Sequence, residues 1–448
     1  MRKGILAAVG LIFFSAPAIS GATLKVPTQF ASVQAAIDAA TAGDTVAVSV
    51  GTYSENIDLK NGVAVLGGWD AAFSIRNPVT YQTTIDAHSS GSAVTAYWPV
   101  DSTCVLDGFK LTNGSGTEDE LNPGLYLGGG ILVYNTQGPR IENNEIVGNS
   151  VPNGSGGGIF VHDASPIIEH NTIRDNHCSG SGGGIDLGNS CCGRVLNNVI
   201  ANNTADRDGG GIRADLGAFV FEDNEVSGNR CGINGGGISL DHSAARIARN
   251  TISGNTARYF GGGVFGYAIS SVIQGNLIVD NIGGAGGGVL CQATPTPTIR
   301  SNTVAGNSSN ERGQISLGSN CSATVDHNIV ACSMKGSGIH CSSDCAPTVS
   351  CNDVWGNVGG NYGGDCPDRT GQDGNISDDP MFCNVGAHDY SLASGSPALN
   401  PPSSPSCNST GIGYRTSPGC DSAPDPSCDY GIGVKKESWG NIKSLYRK

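Results

Sequence analysis

Four charged side chains fall where chemistry is conceivable: Asp186, Arg213, Asp215 and Asp241. They are flanked by Tyr134, Phe160 and His162 on one side and by Phe265 and Tyr267 on the other. Carboxylates bracketed by rings are what saccharide binding needs, because sugar C–H faces pack on aromatic rings while hydroxyls hydrogen-bond to acids. Asp215 and Asp241 lie one repeat apart, so their carboxyls are expected ~5 Å from each other. A separation of ~5–5.5 Å suits a retaining glycosidase pair and ~6.5–9.5 Å an inverting one. Arg213 is a clamp for substrate or an ion-pair partner for the acids; the plain alternative is a surface ion pair with aromatics that only cover a sheet.

What brings these residues together is a repeat. GGG followed by a β-branched residue ends at Ile131, Ile159, Ile185, Ile212, Ile238, Val264 and Val289, with degraded copies at Ile315 and Ile339, spaced 24 to 28 residues apart. Behind each comes apolar-x-x-Asn-x-β-branched, with Asn at 144, 171, 198, 224, 250, 276, 302, 328 and 352. Such a period marks a solenoid whose units bury their apolar faces by stacking. Each unit holds apolar runs too short for helices, so the unit is made of strands. The first and third residues after GGG are apolar or small and point inward, while the second (Leu132, Phe160, Asp186, Arg213, Ser239, Phe265) and fourth (Tyr134, His162, Gly188, Asp215, Asp241, Tyr267) are expected to point out. The expected fold is all-β: a single right-handed parallel β-helix of three-strand coils, about 26 residues each, the hand following from strand twist. Both Asn columns, the second running through Asn149, Asn176, Asn203, Asn229, Asn255, Asn281, Asn307 and Asn357 and broken by Ser333, are read as structural amide ladders.

Residues 1–21 read as a signal peptide, with Arg2 and Lys3 ahead of an apolar run and small residues behind it. No Cys follows the run to serve as a lipid anchor, and no later stretch is long enough to span a bilayer. Residues 22–60 form an N-terminal cap, where Phe30, Val33, Ala36, Ile37 and Ala40 line one face of a short helix. The β-helix is assigned to 61–360, a closing coil with a Cys- and Pro-rich, disulfide-held segment to 361–432, and a basic tail to 433–448. A net charge of −14, with no Lys/Arg cluster, argues against nucleic acid and against a polyanionic glycan. Sixteen cysteines suit an oxidising compartment. Cys321 and Cys345 each lie six residues after a strand-opening Ile and are expected to stack as a disulfide; Cys407 with Cys420 is a second expected pair. Cys291 and Cys341 are expected as core fillers, and the vicinal Cys191 and Cys192 in a turn. No Cys/His spacing indicates a metal, calcium is not indicated by a motif, and no cofactor is expected.

The segments SVQAAIDAATAGDTVAVSVGTYSENIDL, VLGGWDAAFSIRNP and VLDGFKLTNG resemble secreted pectin-lyase-like right-handed β-helix proteins. The GGG[IV] and [IVF]xxN pair is also similar to the GGA[ILV]/FxxN repeats of chlamydial polymorphic outer membrane proteins, Phe221-Glu222-Asp223-Asn224 matching the second form. The resemblance covers roughly residues 23–400 and implies fold more than activity. It implies that the Asn ladder sits between the second and third strands and that the outer face of the GGG strand is where glycans bind. In lyases of this fold an Arg acts as base, a further role for Arg213. The polygalacturonase set NTD, paired DD within a coil, GHG and RxK is missing; Asp378-Asp379 lies in the closing segment. The resulting expectation is an exported, monomeric, extracellular or cell-surface protein that binds polysaccharide through Tyr134, Phe160, His162, Phe265 and Tyr267, either with or without cleavage as a lyase or hydrolase through the acids. The alternative is a non-catalytic, adhesin-type stalk.

Overall fold

The computed structural model describes residues 21–189, 192–293, 296–401, 407, 411–414 and 417–421. The expected signal peptide, Cys191 and the terminal tail lie outside the described residues. The chain winds as a single all-β parallel solenoid with one sheet of 13 strands and another of 12, joined by the sheet that carries the GGG strands. Register is kept from coil to coil: Ile131 pairs with Ile159, Ile159 with Ile185, and Ile212 with Ile238. The inward columns, from Ile131 and Val133 to Ile315 and Leu317, are fully buried and form one continuous core. Each side chain packs on its equivalents one coil above and below, so burial needs neither long strands nor helices.

Two amide ladders hold the turns. Asn171 illustrates the first: its N–H and Nδ2 donate to Asn198 Oδ1 (2.9 and 3.0 Å), and Nδ2 also donates to the Ile141 carbonyl at 2.8 Å. The pattern runs from Asn144 to Asn375. The second ladder runs identically from Asn149 to Asn307. Its break at Ser333 is filled by another residue. Asn307 N and Nδ2 donate to Gln314 Oε1 (3.1 and 3.0 Å), and Gln314 Nε2 donates to Asn357 Oδ1 and the Ala331 carbonyl, both at 2.7 Å.

Gln314 stands where regular coils have the third glycine of GGG. That glycine faces the ladder Asn of its own coil: a Cβ on Gly184 would lie 3.0 Å from Asn203 Nδ2 and 2.6 Å from the Gly211 carbonyl oxygen. In this one coil Gly and Asn are replaced together by Gln and Ser, and the longer amide reaches the place of the missing one.

The segment entered as a cap contains the helix Val33–Ala39, with Val33, Ala36 and Ile37 buried. Ser32 Oγ accepts from Ala35 N, and the Glu55 carboxylate accepts from the N–H groups of Val33 and Gln34 at 2.8 and 2.9 Å. An anion at this end satisfies donors that no helical carbonyl reaches. Stacking already begins in the same segment, where Thr23–Val26 pairs in parallel with Thr45–Ser49.

At the other end, residues after 375 leave the coil path and cover the outer face of the 12-stranded sheet. Ile376, Phe382, Val385, Tyr390, Leu392, Ala398 and Ile412 pack on Val279, Ala305, Ile329 and Ala331. Tyr390 Oη and His388 Nδ1 both reach Asp280 Oδ2, at 3.2 and 3.0 Å.

The disulfide expectations are corrected here. Cys321 and Cys345 are not bonded to each other; the Cys345 thiol donates instead to the carbonyls of Leu317 and Gly318. Cys407 pairs with Cys351 of the coil (Cα–Cα 5.7 Å) and Cys420 with Cys383 inside the covering segment (6.0 Å), so the two are not laid beside each other. Cys341 lies buried in the core as expected, but it also bonds Cys366 (Cα–Cα 4.9 Å), which the closing coil brings over it. Cys291 is buried with a free thiol.

Candidate functional site

The first glycine of GGG decides what the GGG sheet exposes. Gly182 has φ +69°, and a Cβ there would meet Asp186 Cβ at 2.5 Å; Gly156 stands in the same relation to Phe160. The chain ahead of each GGG strand therefore bends back over the second position of that strand, a course that needs a left-handed glycine. A column expected to be outward and open is outward but roofed. Leu132, Phe160, Ser239 and Phe265 are buried, and Asp186 is 1% exposed. Leu127 covers Leu132 and Phe160, while Phe260 and Ala285 cover Phe265 and Leu290. Phe160 and Phe265 thus pack largely beneath the roof.

The open column is the fourth position. Tyr134, His162, Asp215, Asp241 and Tyr267 all reach solvent, Tyr267 being 39% exposed. Tyr134 and His162 stack with centroids 5.0 Å apart, and His242 meets Tyr267 edge-on at 5.4 Å. Asp215 pairs in register with Asp241, and Asp241 with Tyr267.

Arg213 binds its neighbours tightly. Nη1 lies 3.2 Å from Asp186 Oδ1 and Nη2 2.7 Å from Asp215 Oδ2. Burial raises the Asp186 carboxyl above its ordinary range, against the pull of the Arg213 charge. For Arg213 burial works downward, but the two carboxylates outweigh it and the guanidinium is held more firmly protonated. A guanidinium held by two carboxylates is a poor proton acceptor. Asp241 stands apart, its Oδ1 2.7 Å from His242 Nδ1.

Between the roof and the open column lies a groove of about 680 Å³. Arg213, Ser239, Asp241, Phe265 and Tyr267 form its floor side, and Arg207, Asp208, Asn234 and Phe260 line the roof side. Burial raises the Asp208 carboxyl, opposed by the Asn234 N–H that donates to it at 3.1 Å. His177, Arg230 and Tyr259, in the segments ahead of the GGG strands, do not line the groove. Tyr134 and His162 lie off it, toward the N-terminal end of the same sheet. Two exposed aromatics escaped the sequence reading: Tyr97, which pairs with Tyr134, and its neighbour Trp98, 67% exposed. Their strand, Val94–Tyr97, lacks the GGG signature that would have assigned them a column.

Fold and face together define a pectin-lyase-like parallel β-helix protein, with a groove and an open aromatic–acid column on one sheet. The model of the family described as periplasmic copper-binding protein (NosD) matches residues 99–338, more than half of the chain. The chain belongs to that family. Its periplasmic description agrees with an exported protein, and no helix among the described residues is long and apolar enough to cross a membrane. Among solved structures, the crystal structure of pectate lyase Pel9A is similar at 13% identity, covering 85% of this chain and 90% of that one with a TM-score of 0.41. No curated protein matches the chain.

Among the described residues no three His, Cys, Asp or Glu side chains are grouped to hold a metal ion. The free thiols nearest the roof, Cys178 and Cys231, are buried on coils separated by Ala205, and burial pushes each up to about 12. Thiols bind metal as thiolates, so these positions do not fit a copper centre.

Proposed function

We propose that this exported β-helix protein binds polysaccharide in the groove along its GGG sheet, without cleaving it. The observation that carries this reading is the juxtaposition of Asp241 and Tyr267, paired on neighbouring coils and both lining the groove. A ring that is 39% exposed offers a stacking platform, and the adjacent carboxylate accepts from sugar hydroxyls. Binding without cleavage follows from the engagement of the other acids. Asp186 is buried and Asp215 is held by Arg213, so the pair Asp215–Asp241 does not supply two free carboxyls across one bond. Copper, named in the family's description, has no part in this reading, because the described side chains do not fit it.

The test is retention and turnover on a polysaccharide panel, comparing the wild-type chain with Asp241→Asn/Tyr267→Ala. Retention of the wild type, weakened at least tenfold in the variant, with neither new reducing ends nor ultraviolet absorbance from unsaturated products, is the expected result. Turnover lost in the variant would instead make the groove catalytic. Absence of retention throughout would overturn the glycan reading and leave a stalk.

A further inference from the structure

A second concavity, of about 400 Å³, opens on the same sheet near its N-terminal end and is separate from the groove. Tyr97, Trp98 and Tyr134 supply its aromatic surface. Tyr97 is 43% and Trp98 67% exposed, and Leu121 on the facing loop is 79% exposed. Large apolar side chains gathered around a hollow and left in water are costly unless something covers them. The facing wall is the hairpin of Thr117–Glu118 and Tyr126–Leu127, whose Leu127 packs on Leu132 of the sheet and which brings in Glu118, Asp119 and Glu120. No Lys or Arg lines the hollow.

Each carboxylate has a different degree of commitment. Glu118 Oε1 accepts from Gly124 N at 2.8 Å, and Asp119 accepts from Leu121 N and Asn122 Nδ2, so both shape the loop. Glu120 is exposed at the rim. Burial first, and then the charges of Asp58 and Glu120, raise the Tyr97 phenol; burial and then Asp119, Asp163 and Glu120 raise that of Tyr134. Both rings therefore sit in a negative field, which strengthens the attraction of their faces for a cation. A uronate or sulfated sugar would be repelled. A neutral sugar would leave the field unused.

We infer that this hollow is a binding site for a saccharide bearing a protonated amino group, its ring stacked on Tyr97 and Trp98 and its ammonium facing Glu118–Glu120. The inference rests on the glycan reading above and narrows it to amino sugars at this end of the sheet.

The test is calorimetric titration of the full chain at pH 6 with three ligands of equal length: a glucosamine oligomer, its N-acetylated counterpart and an oligogalacturonate. A lysine oligomer provides a fourth arm. Wild type is compared with Trp98→Ala, Glu120→Gln and Asp241→Asn/Tyr267→Ala. The expected result is at least tenfold tighter binding of the free-amine oligomer than of the acetylated one. Trp98→Ala and Glu120→Gln should each weaken it about fivefold or more. Equal affinity for the two oligomers, or no change in either rim variant, would overturn the inference. So would lysine oligomer binding as tightly as the amino sugar. Loss of binding only in the Asp241/Tyr267 variant would overturn it while leaving the groove reading intact. Loss only in the rim variants would sustain it and leave the groove to its own test.

Discussion

Replacing Gln314 by Ala should open a hole in the second amide ladder, and the cost can be worked from its bonds. The Asn307 backbone N–H has Gln314 Oε1 as its acceptor and is buried, so it is left unpaired. A buried donor without a partner costs ~1–3 kcal/mol. Three further bonds vanish: Asn307 Nδ2 to Gln314, and Gln314 Nε2 to Ala331 and Asn357. Each of those groups keeps another partner, because Asn307 Nδ2 still reaches the Ile278 carbonyl, Asn357 Oδ1 still accepts from Ser333, and the Ala331 carbonyl from Gly306. At a net ~0.5–1 kcal/mol each, the total is about 2.5–6 kcal/mol.

Solenoids open locally, so the assay is hydrogen exchange by mass spectrometry on a peptide covering 303–308 beside one covering 171–176. Exchange in the first should accelerate about 10²- to 10⁴-fold, at tenfold per ~1.4 kcal/mol, with little change in the second. The decisive control is Gln314→Gly/Ser333→Asn, which rebuilds the regular rung. It should recover most of the protection lost in Gln314→Gly alone. A double variant no better protected than that single one would refute the idea that Gln314 and Ser333 are a matched exchange for Gly and Asn.

Two other predictions concern buried charge. Arg213→Met leaves Asp186 in the interior without its cation and should lower stability by about 3–5 kcal/mol, whereas Asp186→Leu/Arg213→Met should recover most of that; urea unfolding would measure both. Asp353 is fully buried, faces Asp378 and Asp379, and has its carboxyl pushed up to about 7, chiefly by burial. A carboxyl raised in the folded state favours folding below its unfolded value near ~4, and that contribution is lost as pH rises through about 7. Protection of the closing coil should therefore fall between pH 4 and 8 in the wild type and change less in Asp353→Asn; equal slopes would exclude Asp353 as the titrating group.

The solenoid was legible because its two strongest signals, the GGG[IV] and Asn columns, are requirements of stacking and recur in every regular coil. The inward columns followed from alternation alone. The roof was not legible. Alternation says that Asp186 and Phe160 leave the core, but only the left-handed turns at Gly182 and Gly156 show the chain doubling back over them. Gln314 was invisible as a ladder member because it sits in a different sequence column from the Asn it replaces. The covalent pairs Cys351–Cys407 and Cys383–Cys420 were missed because the segment after 375 follows no register from which distances can be read. Tyr97 and Trp98 escaped for the matching reason at the other end.

The sameness of the rungs also bears on how such a chain can change length. From Asn171 to Asn281 every rung presents the same donors and acceptor to the next. A duplication or deletion of one whole unit there would join identical surfaces and leave no amide unmatched. A crossover falling between 314 and 333 would part Gln314 from Ser333 and place either two amides or none at one rung. The regular stretch is thus a region where coils can be gained or lost, extending or shortening the face that carries the groove. The Gln314–Ser333 coil behaves as a fixed joint that must be inherited whole.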